Sequence, residues 1–207
     1  MTYTYLALGD SYTIGEQVPV FENFPYQTIQ LLRKQFKGTH QFLPPEIVAK
    51  TGFTTDELNE QISKTVLQSE YDFVTLLIGV NNQYRGRAVD NFAVEFEDLL
   101  KQAISFAGGN IKRVYVLGIP DWGATPFAEG KDRVKIAGEI DEYNNSCENI
   151  SKKYACDYIE ITKSQREDAL NPEFLAGDQL HPSGREYTKW AELLFQKISD
   201  KIISDSF

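Results

Sequence analysis

Sulfur and imidazole are scarce in this chain: two cysteines and two histidines in 207 residues. Cys147 and Cys156 fall within, or just after, one helical pattern, which argues against a disulfide framework. With the pairs scattered along the sequence, no structural or catalytic zinc site is expected, nor any other metal or cofactor. Basic runs are missing too. A net charge of −9 argues against nucleic acid and anionic membrane surfaces as partners. No apolar stretch reaches the length that spans a bilayer. Met1 leads almost directly into an apolar strand without a basic flank, so no signal peptide is read and the expected location is cytoplasmic. Repeats, low-complexity segments and linkers are absent, which predicts one domain over residues 1–207. Oligomeric state is left open. What remains is ordinary globular composition, 42% hydrophobic and 25% charged, in a polypeptide long enough to bury a full core.

The elements alternate regularly. A strand-forming run at Tyr3–Leu8 breaks at Gly9. Phe24–Phe36 reads as a helix with Asn23 as N-cap and Pro25 in its first turn. A short strand at Glu46–Ala49 precedes a helix over Thr54–Leu67, with Leu58, Ile62, Val66 and Leu67 at helical spacing. Tyr71–Ile78 and Lys112–Ile119 have the continuous apolar character of central parallel strands. Helices are predicted over Asn91–Phe106 and Val134–Tyr154, a last strand at Asp157–Ile161, and a final helix from about Ser183 to Ile203. This order predicts an α/β fold, a five-stranded parallel sheet between two helical layers in flavodoxin-like order, with its site at the carboxyl ends of the strands.

Chemistry-bearing residues fall on that rim. Ser11, in Gly9-Asp10-Ser11, follows the first strand. A serine nucleophile needs a base, and a base needs a carboxylate to hold its tautomer. Asp178 and His181 stand three residues apart in Gly177-Asp178-Gln179-Leu180-His181-Pro182, so one turn of backbone carries both. A loop Asp capping a helix near Pro182 also fits Asp178, but it leaves His181 without a role. Gly52 follows the second strand, and Gly79-Val80-Asn81-Asn82 the third. A glycine N–H and an asparagine amide from these two stretches, with the N–H of Ser11, would serve as oxyanion donors. Both asparagines also suit a turn or helix start. Asp10, Asn82, Arg85 and Trp122 are candidate substrate contacts, with Arg85 and Arg87 fitting either an anionic group or plain solvation. Trp122, Pro126 and Phe127 would form an apolar acyl wall or pack their own loop.

In four blocks the chain resembles the SGNH hydrolases, also called GDSL-type esterases and lipases. Gly9-Asp10-Ser11 with Gly15 resembles the block that holds the family's nucleophile. Gly52 stands where the family has an oxyanion glycine, and Gly79-Val80-Asn81 resembles the block of the oxyanion asparagine. Asp178 and His181 match the block that completes the triad. Asn82 departs from the family's usual Asp, and Tyr12 from its usual Leu. The resemblance implies a serine esterase working through an acyl-enzyme. Alternatives are a lysophospholipase- or thioesterase-type acyl hydrolase, or a binding module that keeps the fold without the chemistry. An α/β-hydrolase is disfavoured, because the middle of the sequence holds no G-x-S-x-G elbow.

Overall fold

A computed structural model describes residues 1–204; residues 205–207, which the one-domain expectation includes, lie outside it. Among the described residues seven strands run in sequence order: β1 (Thr2–Tyr3), β2 (Tyr5–Asp10), β3 (Gln41–Phe42), β4 (Glu46–Lys50), β5 (Phe73–Leu77), β6 (Val114–Leu117) and β7 (Asp157–Ile159). Five make one parallel sheet in the order β4-β2-β5-β6-β7. Counting only these five in sequence order, the arrangement is second-first-third-fourth-fifth, the predicted flavodoxin-like one. A row of paired residues, Val48, Leu8, Leu76, Val116 and Tyr158, crosses the whole sheet. Every residue of β2, β5 and β6 is buried, as a sheet covered on both faces requires. β1 and β3 form a separate two-stranded parallel sheet that the sequence pattern did not announce, each being only two residues long.

The helices are α1 (Ser11–Ile14), α2 (Phe24–Gln35), α3 (Thr55–Lys64), α4 (Val80–Tyr84), α5 (Val89–Phe106), α6 (Arg133–Lys153), α7 (Thr162–Asp168) and α8 (Gly184–Ser204). None among the described residues is long and apolar enough to cross a membrane. Helix α2 packs on α8, while α5 packs between α3 and α6. Between α2 and α8 the rings of Phe24 and Trp190 meet at 6.2 Å, both fully buried. Burial of such side chains is worth roughly 1.5–3 kcal/mol each. Asn23 caps α2 by accepting from the Tyr26 N–H at 2.9 Å, and Thr54 with Glu57 forms a capping box on α3.

Several boundaries differ from expectation. Helix α3 stops at Lys64, three residues early, because Thr65 turns to extended backbone. Val66 keeps the helical spacing but is almost fully exposed, so periodicity there had no core to face. Residues Ile111–Arg113, the approach to β6, form a single 3₁₀ turn rather than strand. Both cysteines are free and buried, Cys147 on α6 and Cys156 ahead of β7.

Candidate active site

The backbone leaves β2 toward β4 and enters β5 from the other direction, so the carboxyl ends of β2 and β5 flank the crevice where an open α/β sheet binds its ligands. Ser11 begins α1 at the end of β2. Gly9 allows this tight exit: a Cβ there would stand 2.0 Å from Thr13 Oγ1 and 2.5 Å from the Leu77 carbonyl oxygen. Asp10 caps α1, accepting from the Tyr12 N–H at 3.0 Å. Complete burial raises its carboxyl from 3.8 to about 7, the hydrogen bond from Tyr12 offsetting only part.

Ser11 Oγ lies 2.9 Å from His181 Nε2, and His181 Nδ1 lies 2.6 Å from Asp178 Oδ2. The other Asp178 oxygen accepts the N–H groups of Leu180 and His181, each at 3.0 Å. Gln179 takes a left-handed backbone (φ 59°) to close this turn. Burial alone would raise the Asp178 carboxyl. The hydrogen bond from the His181 ring and those from the two N–H groups outweigh it and hold the carboxyl below its usual range. An ionised Asp178 only accepts, so His181 Nδ1 carries a proton, and in the neutral ring Nε2 is then the nitrogen that accepts from the Ser11 hydroxyl. Ser11 and His181 are both buried. The His181 loop is anchored in turn, with Ala176 N–H donating to the His181 carbonyl at 2.8 Å.

In front of Ser11 opens a cavity of about 200 Å³. Gly52, Asn81 and Thr51 line it with Ser11 and His181, and the rest of its wall is Tyr12, Val80, Tyr84, Trp122, Phe127 and Leu180. Burial, together with Asp10, Asp178 and Asp121, pushes the Tyr12 phenol well above its ordinary range, so it stays neutral. Ser11, Gly52, Asn81, His181 and Trp122 are thus brought to one cavity, with Asp178 behind His181. The other candidates are placed differently. Asp10 and Asn82 are wholly buried, behind the wall rather than on it. Asn82 faces α3, where it accepts from the Thr55 N–H (3.1 Å) and donates to Thr55 Oγ1 (2.7 Å). Arg85 spends its guanidinium on the Gly52 carbonyl (2.7 Å) and on Glu57 (3.2 Å), and Arg87 pairs with Asp56 at 2.6 Å. Phe127 joins the wall, whereas Pro126 lines a neighbouring groove.

Sequence reasoning missed Gln83. Its side chain is buried, accepting from Trp122 Nε1 and donating to Glu139 Oε2, both at 2.7 Å. The one available signal was its place four residues past Gly79, in a turn too short to show periodicity.

Residues 7–189 match the model of the GDSL-like lipase/acylhydrolase family. Among solved structures, the chain is similar to a lipase/acylhydrolase from Enterococcus faecalis (TM-score 0.72, 19% identity, 96% of each chain covered). It is also similar to Axe2, an acetylxylan esterase from Geobacillus stearothermophilus (TM-score 0.71, 17% identity, 95% of this chain and 94% of that one). The psychrotrophic esterase EstA from Pseudoalteromonas sp. is a further neighbour (TM-score 0.69, 16% identity, 97% and 98% covered). These likenesses concern the fold. No curated protein matches the sequence.

Proposed function

Because the chain belongs to the GDSL-like lipase/acylhydrolase family and is a hydrolase acting on esters, we propose that Ser11, His181 and Asp178 carry out the reaction through an acyl-enzyme. The observation behind this reading is the unbroken run of contacts from Ser11 Oγ through the His181 ring to Asp178, at 2.9 and 2.6 Å. His181 Nε2 takes the Ser11 proton as Oγ bonds to the ester carbonyl carbon. The tetrahedral intermediate then collapses, the proton passes from His181 to the leaving alkoxide, and an alcohol departs. Water gives a proton to the same nitrogen and attacks the acyl-enzyme. Collapse of the second intermediate returns that proton to Ser11 Oγ and frees the acid. Asp178 stabilises the imidazolium formed in each half. The N–H groups of Ser11 and Gly52 and the amide of Asn81 stabilise the oxyanion.

The cavity supports short acyl groups as substrates. Its wall is apolar, and its roughly 200 Å³ falls below the ~300 Å³ at which drug-sized pockets begin. The test is hydrolysis of a short-chain and a long-chain p-nitrophenyl ester by wild type and Ser11→Ala. The short ester should be cleaved faster, and the mutant should lose at least about 1,000-fold in kcat with its fold intact. Substantial turnover by Ser11→Ala would sink the nucleophile assignment. A preference for the longer ester would instead favour a lysophospholipid-type substrate.

A further inference from the structure

The Gly52 turn is held by α4 in a way the reaction chemistry does not itself demand. Lys50 to Phe53 is a β-turn closed by the Phe53 N–H on the Lys50 carbonyl at 3.1 Å. Gly52 occupies its third position with φ 84°, the value of a type II turn, where a residue with a Cβ is strained. Such a turn at the end of an edge strand has few partners of its own. Thr51 donates its hydroxyl to Glu16, and Asn81, on α4, and Arg85, which caps its carboxyl end, hold the turn's carbonyls. Asn81 donates to the Phe53 carbonyl at 3.0 Å and Arg85 to the Gly52 carbonyl at 2.7 Å. Residues four apart share a helix face, so one face of α4 grips two successive carbonyls of the turn. Arg85 also ion-pairs with Glu57, whose carboxylate accepts the Thr54 N–H in the α3 capping box at 2.9 Å.

We propose that Arg85 is a positioning residue. Its guanidinium locks the Gly52 turn to α4 and α3, so that the Gly52 N–H and the Asn81 amide keep a fixed spacing. This rests on the oxyanion-hole reading above. The fork geometry matters, because one guanidinium nitrogen reaches the carbonyl while the other meets the carboxylate. A lysine ammonium keeps the charge but cannot span both in the same way. Misplacing a donor by a fraction of an ångström weakens transition-state binding more than substrate binding.

The experiment compares wild type, Ser11→Ala, Arg85→Ala and Arg85→Lys on a short-chain p-nitrophenyl ester, with melting curves for each. Arg85→Ala should lower kcat by about 10- to 100-fold with KM within about twofold. Arg85→Lys should fall between, and guanidinium ion below denaturing concentration should restore part of the Arg85→Ala rate. A kcat within about twofold of wild type overturns the proposal. So does a loss confined to KM, which would put Arg85 against the substrate. If Arg85→Ala melts early, Arg85→Lys with the same kcat and KM criteria decides. Wild type without Ser11-dependent turnover overturns the site reading and this one together. Ser11-dependent turnover with indifferent Arg85 variants overturns this one alone.

Discussion

At the scale of single side chains, Gln83 holds the Trp122 indole of the cavity wall. An indole N–H only donates, so the Gln83 carbonyl oxygen must face Trp122 and its NH₂ must face Glu139. The indole N–H is thereby consumed, and Trp122 presents hydrocarbon to the cavity, edge-on to Tyr84 at 5.0 Å. Gln83→Leu strands that buried N–H, at a cost of about 1–3 kcal/mol, and drives the indole to seek a new partner. The expected result is a shift of about tenfold in the ratio of kcat/KM for octanoyl over acetyl p-nitrophenyl esters, equivalent to ~1.4 kcal/mol. An unchanged ratio would mean that Trp122 is held by packing alone.

At the scale of elements, the loop after β6 carries Trp122 and depends on Asn144 of α6. Asn144 accepts from the Ile119 N–H (2.7 Å) and donates to the Ile119 carbonyl (3.0 Å) and to Thr162 Oγ1 (2.9 Å). It ties the end of β6 to α6 and to the start of α7. Asn144→Leu takes the partner from the buried Ile119 N–H, while the Ile119 carbonyl keeps the Thr162 hydroxyl at 2.9 Å, and should cost about 1–3 kcal/mol, read as a lower urea midpoint at unchanged slope. None of this was legible beforehand. Helices α2, α5, α6 and α8 announced themselves because each buries a stripe over three or more turns. The five residues of α4 and seven of α7 are too few for a period to show. Asn144 sits inside the α6 pattern as one more polar position. The convergence of Ser11, Gly52 and Asn81 was legible for a plain reason: each follows a strand, and parallel strands bring their carboxyl ends to one rim. Arg85 was not, because spacing places a side chain on a helix face without saying which carbonyl it meets.

For the molecule as a whole, two carboxyls act on stability in opposite senses. Asp10 is raised in the folded state to about 7, so its favourable contribution is complete below its unfolded value of 3.8 and is lost as pH climbs to about 7. Asp178 is lowered, so its contribution holds above its unfolded value and disappears as acid protonates it. Asp10→Asn keeps an acceptor for the Tyr12 N–H and removes the first effect. Its stability relative to wild type should therefore rise between about pH 4 and pH 7, by roughly 4 kcal/mol at most, and stay level above. Denaturant melts of both proteins across that range measure it, and parallel curves would show Asp10 ionised throughout.

The contact between Ser11 and His181 joins positions 170 residues apart in the sequence. During synthesis every strand of the sheet, and the serine itself, emerges before the imidazole that must sit beside it. A ribosome-bound intermediate can thus carry the sheet while the proposed nucleophile still lacks its proposed base. On the proposed triad, cleavage begins only once His181 has been made and its loop has reached Ser11, so activity reports synthesis past that residue.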